Sequence, residues 1–149
     1  QVMPRAFELI DVEFSMTISS SCFGQLKRHR MATILRTPYQ PDLGYVIPPL
    51  INETGSSEMI AEIMHKAETL YKKLQKIKPG LGDYVLTNSH KLRVYFKANL
   101  RECYHFSRLR SDGHAQWEIR ELSLKMEKIL KKHIPFAASL LMGKDSFKK

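Results

Sequence analysis

The sequence predicts an α+β fold, and three observations carry that reading. Two stretches alternate apolar and polar residues as half-buried strands do, several longer ones repeat apolar residues at helical spacing, and the two kinds do not alternate regularly along the chain. With 149 residues, one domain spanning 1–149 and burying a sizeable core is expected. The chain starts at Gln1 and runs almost at once into strand-like sequence, so residues upstream are expected to be missing.

From Phe7 to Ser19, Ile10, Val12, Phe14, Met16 and Ile18 alternate with Asp11, Glu13, Ser15 and Thr17, which predicts a strand. Ser19, Ser20 and Ser21 offer capping hydroxyls for a short helix through Leu26, which delivers Lys27, Arg28, His29 and Arg30 at its C-terminal end. Residues 37–55, with four prolines and two glycines, read as a loop, a brief strand at Tyr45-Val46-Ile47 and another loop. Thr54 to Ser57 cap a helix to about Lys78 with a stripe of Met59, Ile60, Ile63, Ala67, Leu70, Leu74 and Ile77, stopped at Lys78-Pro79-Gly80.

Leu81 to Leu86 reads as a helical turn, and Leu92, Val94 and Phe96 alternate with Lys91, Arg93, Tyr95 and Lys97 in a second strand. Asn99 caps a helix through about Leu109, broken at Ser111-Asp112-Gly113. A long helix follows from His114 to about Lys132, with Ala115, Ile119, Leu122, Met126, Ile129 and Leu130 facing inward. Pro135 opens a last helix to about Met142, and Lys144 to Lys149 should fray.

Lys and Arg exceed Asp and Glu by 24 to 15, so the net charge is +9 and phosphate-bearing partners are favoured. A nucleic-acid ridge needs aromatics among the charges, and Tyr71 is the only one among Lys66, Lys72, Lys73 and Lys76, so nucleic acid is not the expected partner. Cys22 and Cys103 lie far apart and the six histidines show no H-x-x-x-H pair, which argues against zinc and disulfides and for a reducing, cytoplasmic setting. No apolar run has membrane-spanning length, and no signal-peptide pattern opens the chain, so a membrane association is not expected. Neither a P-loop nor a G-x-G-x-x-G follows a strand, so side chains must hold any phosphate.

Two basic clusters stand out. The first is Arg28-His29-Arg30, for which a basic helix end suiting the helix dipole is the plainer reading. The second places Arg101, His105 and Arg108 at spacings of four and three on one helix face, a cradle for phosphate or simply a solvated face, followed by Arg110, His114, Gln116, Trp117 and Glu118.

Together these clusters resemble the flavin-dependent thymidylate synthases, whose first signature is R-H-R and whose second reads close to L-R-x-D-x-H-A-Q-W-E-I, as in Leu109 to Ile119 here. The Asn99-x-Arg101 pair also agrees. The resemblance spans nearly the whole chain and implies helices packed on a small, mostly antiparallel sheet, without the family's additional N-terminal strand-and-helix section. It implies transfer of a methylene group from methylene-tetrahydrofolate to dUMP, with reduced FAD as hydride source, NADPH as reductant, and sites assembled between subunits of a homotetramer. Carried over residue by residue, Arg28, His29 and Arg30 would contact flavin, Asn99 and Arg101 would reach FAD from another subunit, His105 replaces an Asn that would hold the cofactor, and Gln25 and Arg110 would contact dUMP. No catalytic residue and no metal ligand follow from it.

The departures fall beside the nucleotide. The signature R-H-R-x-x-S-x-N-E-x-S-x-R meets Thr33, Leu35, Arg36, Pro38 and Gln40 here, and by ungapped counting the expected nucleotide-phosphate arginine is Asp83. The family's His-x-Thr-Pro-Phe-Glu becomes Met3-Pro4-Arg5-Ala6-Phe7-Glu8, which removes a further flavin-side contact. The implied function is therefore a thymidylate synthase homologue with an eroded dUMP site. The alternative is a noncatalytic structural or interaction domain of a longer tandem chain or oligomer.

Overall fold

The computed structural model describes residues 3–148, and its elements are helices with a small antiparallel sheet, the expected α+β class. Strands β1 (Asp11–Ser19), β2 (Thr33–Arg36) and β3 (Lys91–Asn99) pair in the order β1-β3-β2. The helices are α1 (Ser20–Leu26), α2 (Pro49–Glu53), α3 (Ser57–Ile77), α4 (Leu100–Arg110), α5 (Trp117–His133) and α6 (Pro135–Ala138). Two compact units divide these residues, one taking 3–15, 24–35 and 95–148 and the other 16–23 and 36–94.

The unit built on α4 and α5 has its core in Leu26, Phe96, Leu100, Phe106, Ile119 and Leu141, all essentially inaccessible to solvent. Burying each such side chain contributes about 1.5–3 kcal/mol. The strand expected from Phe7 starts only at Asp11; Arg5–Leu9 is a 3-10 helix instead. Pro4 sets its entry, the Phe7 N–H donates to the Pro4 carbonyl at 3.2 Å, and the Phe7 ring meets Tyr104 edge-on at 5.7 Å. Local hydrogen bonding and one aromatic contact thus override the alternation.

Asn99 caps α4 as expected, its Oδ1 accepting the Glu102 N–H at 2.9 Å. The helix expected from His114 begins at Trp117, because the Gln116 side chain takes the cap and accepts the Ile119 N–H at 3.0 Å. Ile129, assigned to its buried stripe, is exposed. Helix α6 ends at Ala138, short of Met142, and the tail expected to fray forms a 3-10 helix at Lys144–Lys148. Asp145 holds it by accepting the Gly113 N–H at 2.9 Å; Lys149 lies outside the described residues.

The unit built on α3 starts α1 with a cap from Ser19, whose Oγ accepts the Cys22 N–H at 3.0 Å. Its buried side chains include Met16, Ile18, Met64, Leu92 and Val94. Helix α3 keeps its expected span, but only part of the expected stripe faces inward: Ile60, Ala67 and Leu74 are half-buried beside Tyr71 and the buried Met64, while Met59, Ile63, Leu70 and Ile77 face solvent. Its partner is the 3-10 helix Leu81–Val85. The region expected to be loop holds α2, opened by Pro48 and Pro49, and a 3-10 helix at Pro41–Leu43. The brief strand at Tyr45 reduces to one antiparallel bridge with His90, and β2, a run of four residues, is a strand the sequence does not predict.

Candidate functional site

The α4 unit gathers three of the singled-out side chains, Gln25, His29 and Arg110, into one hydrogen-bonded chain with Glu102. The first signature splits: His29 turns inward, while Arg28 and Arg30 stay exposed. The His29 ring lies 4.8 Å from the Phe106 ring and 6.0 Å from that of His105. Its Nε2 accepts the Arg110 Nε–H at 3.0 Å, and because an arginine Nε can only donate, the imidazole proton sits on Nδ1 and points to Glu102 Oε1 at 3.1 Å. Arg110 also donates from Nη1 to Gln25 Oε1 at 3.3 Å and from Nη2 to the Gln25 carbonyl at 3.2 Å. Gln25 and Arg110 are thus brought together, and His29 and Glu102 fix the guanidinium from behind.

A second feature of the same unit is a cavity of about 550 Å3. Arg101, His105 and Arg108 on α4, with Lys144 after α6, give it a cationic wall. Tyr104, Leu140 and Phe147 give it an apolar one. The volume lies within the ~300–1,000 Å3 typical of ligand sites, and a mixed cationic and apolar lining fits a ligand that carries both phosphate and an aromatic ring. Arg101 donates to Glu8 and holds that carboxyl below its ordinary value. Tyr104 donates to the Ala137 carbonyl at 2.7 Å, and burial pushes its hydroxyl up. Asn99 contributes through its cap, which sets the first turn of α4 and so the direction of Arg101.

Other candidate groups are structural. Burial, with the Glu102 carboxylate second, pushes the Cys103 thiol up to about 12, so it offers no thiolate at neutral pH. Asp112, in the second signature, accepts the His114 N–H at 2.9 Å, and that bond above all holds its carboxyl below the ordinary value. Its Oδ2 lies 3.5 Å from Lys144 Nζ without hydrogen-bond geometry. Glu127 accepts from Ser107 at 2.5 Å and from Ser111, tying α4 to α5. Among the described residues no group of three or more His, Cys, Asp or Glu side chains could hold a metal ion.

In the α3 unit, Arg36 lies over Tyr39 at 5.3 Å and Phe23 at 5.9 Å, and Asp83 accepts from Gln75 at 3.4 Å. Pro38 and Gln40 are exposed. Sequence reasoning missed Glu8, Glu102 and Lys144. Glu102 leaves only a local signal, the Asn-x-x-Glu of a helix start, whereas its partner lies 73 residues away.

A family model described as "Thymidylate synthase complementing protein" matches residues 3–136. UPF0159 protein Ta1429 of Thermoplasma acidophilum is 29% identical over 144 residues, which cover 95% of this chain and 29% of that protein. The flavin-dependent thymidylate synthase of Kosmotoga olearia is 30% identical over 152 residues, covering 87% of this chain and 66% of the relative. That of Pyrococcus abyssi is 32% identical over 133 residues, covering 76% and 52%. The chain thus spans from under a third to about two thirds of the length of these relatives.

Proposed function

The chain belongs to the thymidylate synthase complementing protein family, and on that premise we propose that it is a divergent flavin-dependent thymidylate synthase homologue that retains a site for FAD and has an eroded dUMP site. The observation that carries this reading is the cavity flanked by Arg101, His105 and Arg108, because the donors at its cationic wall match the phosphates of a dinucleotide and its apolar wall matches a ring. FAD, when bound, would supply the hydride for reductive methylation.

The chain's own residues would do the following. Arg101 and Arg108 hold phosphate oxygens, with Arg101 passing from Glu8 to the ligand. His105 adds a donor, and the exposed Arg28 and Arg30 supply outer flavin contacts. His29 and Asn99 act by position, the first through Arg110 and the second through the first turn of α4.

The dUMP half is read as weakened on four grounds. Arg110 and Gln25 are bonded to each other, Arg36 brings positive charge where the family has an acid, Pro38 lacks a donor, and Asp83 opposes a phosphate. Losing three contacts at about 1–2 kcal/mol each weakens binding by roughly two to four orders of magnitude. Methylene-tetrahydrofolate and NADPH would be the remaining partners, in a homo-oligomer such as a tetramer.

One observation favours a second reading. The chain covers only 29% of the Thermoplasma relative, so a comparable piece could act as a noncatalytic partner of further sequence, in a tandem chain or an oligomer.

The test is co-elution of the purified chain with FAD on gel filtration, read by the flavin absorption bands. Retained bands are expected, weakened about 10–100-fold in apparent affinity by Arg101→Ala with Arg108→Ala. A chain that elutes colourless after excess FAD overturns the retained site. Tritium release from labelled dUMP, with reduced flavin and methylene-tetrahydrofolate, should stay at background; steady turnover would overturn the eroded one.

A further inference from the structure

The stretch after α6 is clasped to the second signature. Gly143 packs its backbone on Ser111: a Cβ there would stand 2.7 Å from the Ser111 carbonyl oxygen and 2.9 Å from the Asp112 nitrogen. Lys144 places Nζ 3.5 Å from Asp112 Oδ2, and the Asp145 carboxylate accepts the Gly113 N–H at 2.9 Å. Successive residues thus meet successive residues, 143–145 on 111–113. The same stretch lines the cavity through Leu140, Met142, Lys144 and Phe147. All four lie beyond residues 3–136, the part the family model matches, so that match gives them no role.

Lys144 belongs to both the clasp and the cavity, and its hold on the turn is incomplete. Asp112 is 2% exposed, and among the described residues no hydrogen bond reaches its Oδ2. The Lys144 side chain keeps 47% of its surface in solvent. A buried carboxylate oxygen that attracts a lysine without a hydrogen bond leaves the flexible ammonium free to turn to a stronger acceptor. A phosphate is one, since it takes charge-assisted hydrogen bonds, and Arg101, His105 and Arg108 already bring donors for it to the cavity. Arg101 stands in the same relation to Glu8, so two cations of the wall rest on the chain's own carboxylates.

We infer that Lys144 is a ligand contact shared between Asp112 and a phosphate in the cavity, and that residues 143–147 form a strap which such a ligand fastens to α4. The inference rests on the reading of the cavity as the site of a phosphate-bearing ligand, and adds to it a residue outside both signatures that selects for the charge. Bridged from Arg101 and Arg108 on α4 to Lys144, the ligand supplies a tie across the cavity, and opening of the strap becomes rarer.

Fluorescence titration of the full chain with FAD, and with riboflavin as a probe that has the ring but no phosphate, tests the contact. Lys144→Met should weaken FAD about 10–30-fold and leave riboflavin within about twofold, and Lys144→Arg should recover most of the loss. Asp112→Asn keeps the acceptor for the His114 N–H and should tighten FAD about threefold, a gain that disappears in the Lys144→Met background. Inorganic pyrophosphate gives a reading that needs no flavin. It should slow hydrogen exchange at the Gly113 amide about tenfold in the wild type and leave it unchanged in Lys144→Met. Equal loss of FAD and riboflavin, or a Gly113 amide indifferent to pyrophosphate, would overturn the inference. A chain that rejects FAD yet shows the pyrophosphate response keeps the strap and overturns only the flavin site; one whose FAD affinity ignores Lys144→Met keeps the flavin site and overturns the strap.

Discussion

Replacing Glu102 should destabilise the α4 unit more than any exposed acid in the chain. Its side chain and that of His29 are only 7% and 3% exposed, and the 3.1 Å contact between them is the partner given to His29 Nδ1. In Glu102→Ala that buried donor loses its acceptor, which costs about 1–3 kcal/mol for the orphaned group. A further ~1 kcal/mol is lost because Arg110 is no longer braced through the ring.

A loss of about 2–4 kcal/mol lowers the melting temperature of a chain this size by roughly 6–14 °C. Glu102→Gln keeps an acceptor oxygen and should lose only about 1 kcal/mol. Urea unfolding of both variants, combined with His29→Phe in a double-mutant cycle, isolates the pair and should give a coupling of about 1.5–3 kcal/mol. A coupling below ~0.5 kcal/mol would refute the chain of bonds from Glu102 through His29 to Arg110.

The remaining predictions concern the α3 unit. His90 is fully buried, its Nε2 has no hydrogen-bond partner, and burial above all holds its imidazole below the ordinary 6.5. The unfolded chain therefore binds a proton at higher pH than the folded one, so this stability is whole above pH 6.5 and declines as pH falls through the depressed folded value. Melts from pH 8 to 5 should show this decline, and His90→Gln should remove it. At Gly82 a Cβ would stand 2.7 Å from Tyr71 Cδ2 and 2.8 Å from the Tyr71 carbonyl oxygen. Gly82→Ala should cost about 1–3 kcal/mol in urea unfolding, whereas Gly24→Ala, whose Cβ meets nothing within 4 Å, should not.

Strong periodicity was legible from the residues alone, and weak or long-range signals were not. β3 reads correctly because Leu92, Val94, Phe96 and Ala98 alternate with exposed residues from Arg93 to Lys97, and that pattern needs no partner to be seen. α3 reads correctly in span but only partly in facing, because the expected stripe joins inward residues (Ile60, Ala67, Leu74) to outward ones (Met59, Ile63, Leu70, Ile77) and only the packed 3-10 helix at Leu81–Val85 decides between them. β2 is four residues of mixed exposure and exists through its pairing with β3, a contact that leaves no local trace. At the site, Arg101, His105 and Arg108 were visible as one helix face, while Glu8 and Lys144 join them from distant positions in the chain.

The second signature has a consequence for how such chains persist. Asp112 closes the turn after α4, and Gln116 caps α5, so two of its most recognisable letters are held in place by backbone hydrogen bonds before any ligand arrives. A copy that lost its chemistry entirely would still unravel the start of α5 if it lost Gln116, at about 1 kcal/mol for a missing cap. The second signature is also part of the frame, held by the fold itself whether or not a ligand binds.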